Sequence, residues 1–458
     1  MAVFDAEKVQ GNILRGYPLD RVRHMILEVS DRRRAREFLA AAADGRGEDV
    51  PRITRSANWS ERPEVCFNIG ITFEGLRTLG LPSDELKTFP TEYTEGMTRR
   101  ALKLGDFGES APEHWPAPFD RPDRIHIVAS AYANANHHLD DIEKKVAKVF
   151  TVLGTRDGRN LPDGKVFFGY RDGISQPRLR HVFDPEHAGD HQIKDPLGTV
   201  LLGYQTQLEG IKFTIPTPED VFRDSAFNAF RVLQQDTGAF ETYLTDAAHF
   251  LESHRDVARL LPEGAEQNIG GGMSRHDALR EVVAAQMCGR WRNGTPYEAS
   301  PNSDVQDGIS LTNYDYSLSS RCPAGSHMRR ANPRGGPIVQ RVANYTRRMV
   351  RRGMSYGPDP ETGEHGLLGN FIGANYGAQF EAVMCDWINF GLQDPGITGT
   401  NDPLLGANVP ETSRFDLTLK GGGHIRLSGF PRFVKTRGGA YTLLPSLPAI
   451  RYLSQLTA

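Results

Sequence analysis

Cysteine is scarce in this chain of 458 residues. Cys66, Cys288, Cys322 and Cys385 stand far apart, with no CxxC pair. That argues against a zinc ribbon, an iron–sulfur cluster or a disulfide scaffold, and fits a reducing compartment. Long apolar runs are missing as well. No stretch reaches the ~18 apolar residues of a membrane-spanning helix. The opening residues lack both the basic-then-apolar order of a secretory signal and a twin-arginine pair. The expectation is a cytoplasmic protein with no membrane partner. There is no excess of positive charge: 54 Lys and Arg face 57 Asp and Glu. A nucleic-acid partner is therefore not expected. Also absent are a Walker A loop, a dinucleotide fingerprint after a strand, H-E-x-x-H and G-x-S-x-G.

What is present supports a sizeable core. Hydrophobic residues make up 38% of the chain and charged residues 24%. The length suits two or three folding units, or one large unit in two parts. Alternation predicts strands over 22–29, 64–73 and 124–131. Helices are predicted over 32–43, 74–79, 84–104 and 139–152, the last with Leu139, Ile142, Val146 and Val149 on one face. The arginines at 32–36 read as a solvated helix face. Strands outnumber a simple β–α alternation, which points to an α+β fold with an antiparallel sheet. The stretch 154–164 reads as a loop and a domain boundary, dividing residues 1–160 from 161–458. Beyond it, 226–233 reads as a strand and 237–261 as a helix. Phe67-Asn68-Ile69 and Phe227-Asn228-Ala229 echo each other, which makes a repeated unit plausible. Residues 262–275 and 292–308 read as loops, and 376–390 as a helix. The chain closes with strand-like 433–435 and 441–444, then a short helix.

Two places invite chemistry. The strand-like Lys165-Val166-Phe167-Phe168 leads into Gly169-Tyr170-Arg171-Asp172-Gly173, where a carboxylate sits between glycines. The alternatives for Asp172 are a turn residue or a proton handler. His327 precedes Arg329, Arg330 and Arg334. An imidazole among cations suits a metal whose other groups are anionic, as in haem, whose propionates attract arginine. A basic surface loop is the alternative. Arg347-Arg348-Met349-Val350-Arg351-Arg352 reads as a strand edge, or as a solvated basic strand end. His187 and His191 have the i, i+4 spacing of a metal pair but flank Gly189 in a loop-like stretch. His137-His138 falls at a helix start.

Taken together, Asp172, His327 and Arg351 resemble the dye-decolorizing peroxidase family. Gly169-Tyr170-Arg171-Asp172-Gly173 is similar to its GxxDG signature. The segment from Gly325 to Arg334 resembles the proximal histidine segment, and that from Arg351 to Gly357 the distal arginine segment. Gln10-Gly11-Asn12-Ile13-Leu14, Gly366-Leu367-Leu368, Gln379-Phe380-Glu381, Gly438-Gly439-Ala440-Tyr441 and Leu444-Pro445-Ser446 recur in family order. The resemblance implies two ferredoxin-like halves with antiparallel sheets, the dimeric α+β barrel type. It implies one haem b per chain, mainly in the C-terminal half. His327 is the implied iron ligand. Arg330, Gly173, Ile174, Ser175, Leu368 and Phe371 are the further implied cofactor contacts. Asp172 and Arg351 are the implied catalytic pair on the distal side. Ser355 and Gly369 depart from the residues many members carry, proline and an aromatic respectively; the glycine is expected to widen access or alter peroxide placement. The carboxylate that should hold the proximal imidazole has three candidates, Asp386, Asp394 and Asp416.

The implied activity is reduction of hydrogen peroxide with one-electron oxidation of dyes, phenols or similar donors. A homo-oligomer is a further expectation. Surface oxidation through Trp387, Tyr356 or Tyr441 is a candidate route for bulky donors, with core packing as the alternative. Manganese as a diffusible reductant has no nameable cluster. The rival readings are a haem-carrying or iron-release protein of the same fold, a structural protein without cofactor, and a specialist enzyme acting on one metabolite.

Overall fold

A computed structural model describes residues 4–179, 194–208, 210–317, 321–336 and 345–456. The first third places strands β1 (Arg21–Glu28), β2 (Val65–Ile71), β3 (Ile127–Ala133) and β4 (Thr151–Arg159) around helices α1 (Arg32–Asp44) and α2 (Asn136–Ala147). The Asp31 side chain caps α1 by accepting from the Arg34 N–H, and Gly45 ends it at φ 69. Leu139, Ile142 and Val146 are the buried stripe of α2, as their spacing predicts. The sheet order is β4-β1-β3-β2, all antiparallel.

The remainder repeats the pattern with long insertions. A two-residue parallel pair, β5 (Arg178–Leu179) and β6 (Lys194–Asp195), precedes β7 (Ala226–Gln235). Helices α3 (Thr237–Glu252), α4 (Arg275–Cys288) and α5 (His327–Ala331) follow, then β8 (Val350–Tyr356) and β9 (Gly366–Gly373). A wide, π-type helix covers Tyr376–Glu381 and Val383–Asn389. The hairpin β10 (Arg414–Thr418) and β11 (His424–Ser428) leads to β12 (Val434–Leu444) and α6 (Leu447–Gln455). The order β12-β7-β9-β8 places fourth, first, third and second strands side by side, as in the first half. The two ferredoxin-like sheets close one barrel, through Leu443↔Ile71 at one seam and Arg159↔Ser355 at the other.

Side-chain alternation along each strand decides which face a residue serves. Arg23 of β1 points outward, to Asp140 and Glu143 of α2. His24 points inward, against Phe230 at 4.9 Å between ring centres. Arg351 stands directly opposite Phe371, and Gly353 opposite Gly369, so these four share one face. Leu368 stands opposite Met354 and Val232, one residue out of step and fully buried in the core.

Several expectations need correction. The stretch 154–164 is not a loop, since β4 runs through Arg159. Its glycines permit close approach: a Cβ on Gly158 would meet Val22 Cγ1 at 2.8 Å and Met354 Cβ at 3.0 Å. The Phe-Asn echo joins β2 of one half to β7 of the other, a second strand to a first. The repeat lives in the topology and not in those residues. Residues 165–168 do not form a strand; the Val166 N–H reaches Tyr170 O and the Gly169 N–H returns to Val166 O. Residues 84–104 break into Ser83–Leu86, Thr91–Arg99 and Ala101–Leu104. His187 and His191 lie outside the described residues.

Candidate active site

His327 opens α5, which follows the buried Cys322 and Ser326. Its Nδ1 lies 3.0 Å from Asp402 Oδ2. Asp402 is fully buried, and its other oxygen accepts the N–H groups of Leu404 and Leu405, each at 2.8 Å. Burial works against charge on the imidazole, but Asp402 outweighs it and holds the His327 pKa above its ordinary value. Burial likewise opposes the Asp402 carboxylate, and His327 reverses that, so its pKa falls. An ionised carboxylate only accepts. Nδ1 therefore carries the proton, and the neutral ring offers Nε2 to a ligand. A carboxylate behind a histidine is the usual arrangement for orienting an imidazole that binds metal. Of the three carboxylates expected there, Asp386 pairs with Arg347, Asp416 pairs with Arg426, and Asp394 caps its own turn at the Gly396 N–H.

Asp172 is delivered by a turn whose two aromatics are anchors. Phe168 and Tyr170 are buried among α3 and α4, and Tyr170 Oη donates to Ala284 O at 2.8 Å. Arg292 lies over the Tyr170 ring and donates to Phe168 O. Gly169 holds φ 82, and a Cβ there would meet Arg292 Nη1 at 2.8 Å. The Arg171 and Asp172 N–H groups are taken by Arg292 O and Gly164 O. Beyond Asp172, Gly173 holds φ 72, and among the described residues no atom lies within 4 Å of a would-be Cβ.

The same loop grips β8. Gln176 Nε2 donates to Arg351 O at 2.8 Å, and its Oε1 accepts the Arg351 N–H at 3.0 Å. Ser175 O accepts from Arg351 Nη2. Arg351 is solvent-accessible although protein packs around it. Burial lowers its pKa; Asp172 opposes that shift, and Arg334 adds to it. His327 feels the charges of both Arg351 and Asp172. The three side chains thus share one electrostatic neighbourhood.

The arginines after His327 divide the work. Arg329 donates to Cys322 O and covers the Tyr316 ring at 4.9 Å. Arg330 is buried, and its guanidinium bonds Gly325 O, Trp387 O, Thr400 O and Thr400 Oγ1. It frames the segment and has little left for a cofactor. Arg334 bonds Thr312 O and Ser175 Oγ and stacks on Tyr314 at 4.5 Å. Among the described residues its buried Nε has no partner, and neither has Asn332 Oδ1. An unpartnered guanidinium N–H on the segment that carries the His327 imidazole suits an anionic metal-bearing group such as haem. A separate cleft of about 1040 Å³ reaches Cys322, Arg330 and the β10–β11 hairpin but none of Asp172, His327 or Arg351.

The remaining residues that the sequence singles out have varied surroundings. Ile174 packs toward Gly294, whose Cβ would meet Ile174 Cδ1 at 2.6 Å. Phe371 shares the Arg351 face, whereas Leu368 lies on the opposite one, inside the barrel, and the cofactor contact expected of it is withdrawn. Gly369 does not widen the pocket by itself, because the Phe371 ring fills that space, 2.7 Å from a would-be Cβ. Ser355 is buried at the seam with β4. Trp387, Tyr356 and Tyr441 are 2%, 9% and 2% exposed, which makes them core and not surface relays. The basic run at 347–352 is anchored and not solvated: Arg347 to Asp386, Arg348 to Asp195, Arg352 to Asn12 O. The His137 and His138 rings lie tilted against each other, 4.1 Å between centres, at the start of α2.

Comparison with known proteins supports the fold. Residues 8–162 match the model of the DyP dimeric alpha+beta barrel domain. A dye-decolorizing peroxidase of Mycetinis scorodonius is 26% identical over 97% of this chain and 86% of its own length. A multifunctional dye peroxidase of an Amycolatopsis species is 26% identical over 98% and 95%. A solved dye-decolorizing peroxidase in complex with 2,6-dimethoxyphenol superposes with a TM-score of 0.79 at 25% identity, covering 99% of this chain and 100% of that one. With the same strand order in both halves, the chain carries a DyP dimeric alpha+beta barrel domain over residues 8–162 and is similar along its whole length to dye-decolorizing peroxidases.

Proposed function

We propose that the protein is a haem b peroxidase that reduces hydrogen peroxide at the expense of phenolic or dye-like donors. The observation that carries the reading is the clamp of Ser175 and Gln176 on Arg351, which ties the Asp172 loop to the strand bearing the guanidinium. His327 would bind iron through Nε2, with Asp402 fixing its ring. Arg334, whose Nε has no partner among the described residues, would be the cation for a propionate. Arg330 serves the protein frame. Bound haem would supply the redox chemistry, taking two oxidising equivalents from peroxide and releasing them one at a time. Asp172 takes the proton from one peroxide oxygen and returns it to the other, which leaves as water. Arg351 stabilises the negative charge growing on that leaving oxygen, an effect worth roughly 3–4 kcal/mol for comparable donors. A carrier has no need of such a pair. The solved relative bound to 2,6-dimethoxyphenol supports phenols as one donor class.

The test is stopped-flow absorbance of the haem-loaded protein with one equivalent of peroxide. The wild type should change its Soret band in a single fast phase. Asp172→Asn and Arg351→Leu should each slow that phase by about a hundredfold or more. An unchanged rate in Asp172→Asn would move proton transfer to Arg351 and water. Unchanged rates in both would reject the distal assignment.

A further inference from the structure

Away from this site, α3 and α4 pack side by side and run in opposite directions. At one end Glu241 of α3 pairs with Arg280 of α4 and with Arg292 just beyond it. At the other end three potential metal ligands meet. His249 and Glu252 are three residues apart in the last turn of α3, hence on one face. His276 comes from the first turn of α4. Glu252 Oε1 is 3.0 Å from His276 Nδ1, and its Oε2 is 3.5 Å from His249 Nδ1. The two imidazoles lie 4.4 Å apart. One ligand atom from each of the three residues falls within 4.8 Å of the others. All three side chains are solvent-accessible, at 65%, 40% and 25% exposure for His249, Glu252 and His276, so an ion can enter without opening the fold.

We propose that His249, Glu252 and His276 bind one divalent transition-metal ion of the zinc class, stapling the end of α3 to the start of α4. Two imidazoles and a carboxylate are the ligand types zinc takes, at about 2.0–2.2 Å, and water would complete the shell. Ligand atoms around such an ion stand ~3.3–3.5 Å apart, so the present spacing needs only small side-chain rotations. An N,N,O set favours zinc or copper over manganese or magnesium, which prefer oxygen. The third ligand comes from another helix, so the site depends on tertiary packing and is not a feature of one helix surface. The far end of the same helix pair holds Arg292, the residue that supports the turn under Asp172. The ion would therefore brace the layer behind the distal loop without touching it.

Equilibrium dialysis of the haem-loaded protein against zinc chloride, with elemental analysis, tests the site. The wild type should retain one more zinc per chain than the His249→Ala/His276→Ala double variant. Glu252→Gln should bind at least about tenfold more weakly. His254→Ala, a neighbouring imidazole whose Nδ1 accepts the Asp256 N–H, should bind like the wild type. Zinc should also raise the thermal midpoint of the wild type but not of Glu252→Gln. Equal zinc uptake by wild type and Glu252→Gln would overturn the proposal, leaving only a surface hydrogen bond. Tighter retention of manganese than of zinc would overturn the assigned class. Glu252→Gln decides the matter even if the double variant does not fold.

Discussion

At the residue scale, one carboxylate governs the proximal imidazole, and the sequence hid it. Asp402 sits 75 positions from His327, and nothing in Thr400-Asn401-Asp402-Pro403 sets it apart from a turn. Only burial distinguishes it from Asp386, Asp394 and Asp416, and burial is a property of the fold. His327 itself was legible, because an imidazole followed by arginines is locally unusual. Asp402→Asn keeps the shape and removes the charge. Haem affinity of the apoprotein should fall about 10–100-fold, measured by haem titration. The pH dependence has a definite sign. Iron competes with a proton for Nε2, and Asp402 raises the pKa of the imidazole. Wild-type uptake should therefore weaken as pH falls through a value above the ordinary imidazole range. In the variant burial acts without the carboxylate, so this acid limb should move to lower pH. A limb that stays in place would remove Asp402 from the proximal role.

At the element scale, strands with regular alternation were readable and those made of glycine were not. β1 and β7 announce themselves by apolar patterning, whereas β4 (TVLGTRDGR) and β9 (GLLGNFIG) carry glycines that mimic turns. Those glycines are there because neighbours crowd them: a Cβ on Gly366 would lie 2.0 Å from Leu233 O. The segment before Asp172 misled in the opposite sense, since its aromatics look like strand residues but anchor a turn into the helical layer. What turns that loop into part of a pocket is Gln176, whose amide satisfies both backbone groups of Arg351 as a neighbouring strand would. Gln176→Ala should release Arg351 with little effect on the core. Both bonds lie at exposed positions where water can replace them, so the loss should show up chiefly as a roughly tenfold or greater fall in the rate of peroxide reaction. Haem content and denaturant midpoint should stay close to wild type. A variant with full peroxide reactivity would show that the loop needs no such tether.

At the scale of the whole molecule, the barrel is closed by very little strand pairing, so its seams need other fasteners. Each seam has a single paired position, Leu443↔Ile71 and Arg159↔Ser355. The N-terminal signature explains how they hold. Gln10 is fully buried; its Nε2 donates to Ile69 O at the end of one half's sheet and to Pro445 O just past the other's. Its Oε1 accepts from the Ile69 N–H and Asn68 Nδ2. Two residues on, Asn12 O takes Arg352 Nε from β8, the strand that carries Arg351. One short segment thus touches β2, the end of β12 and β8, and a motif recognised by likeness acquires a mechanical reason. Gln10→Ala strips the first fastener and leaves buried backbone groups unsatisfied. It should cost about 2–4 kcal/mol in denaturant unfolding, with the peroxide rate of the folded fraction changed less than tenfold. The two variants should therefore divide cleanly, Gln176→Ala losing reactivity with stability intact and Gln10→Ala the reverse. If Gln10→Ala slowed peroxide reaction as strongly as Gln176→Ala, seam and pocket would be one mechanical unit, and scaffold could not be separated from chemistry in this barrel.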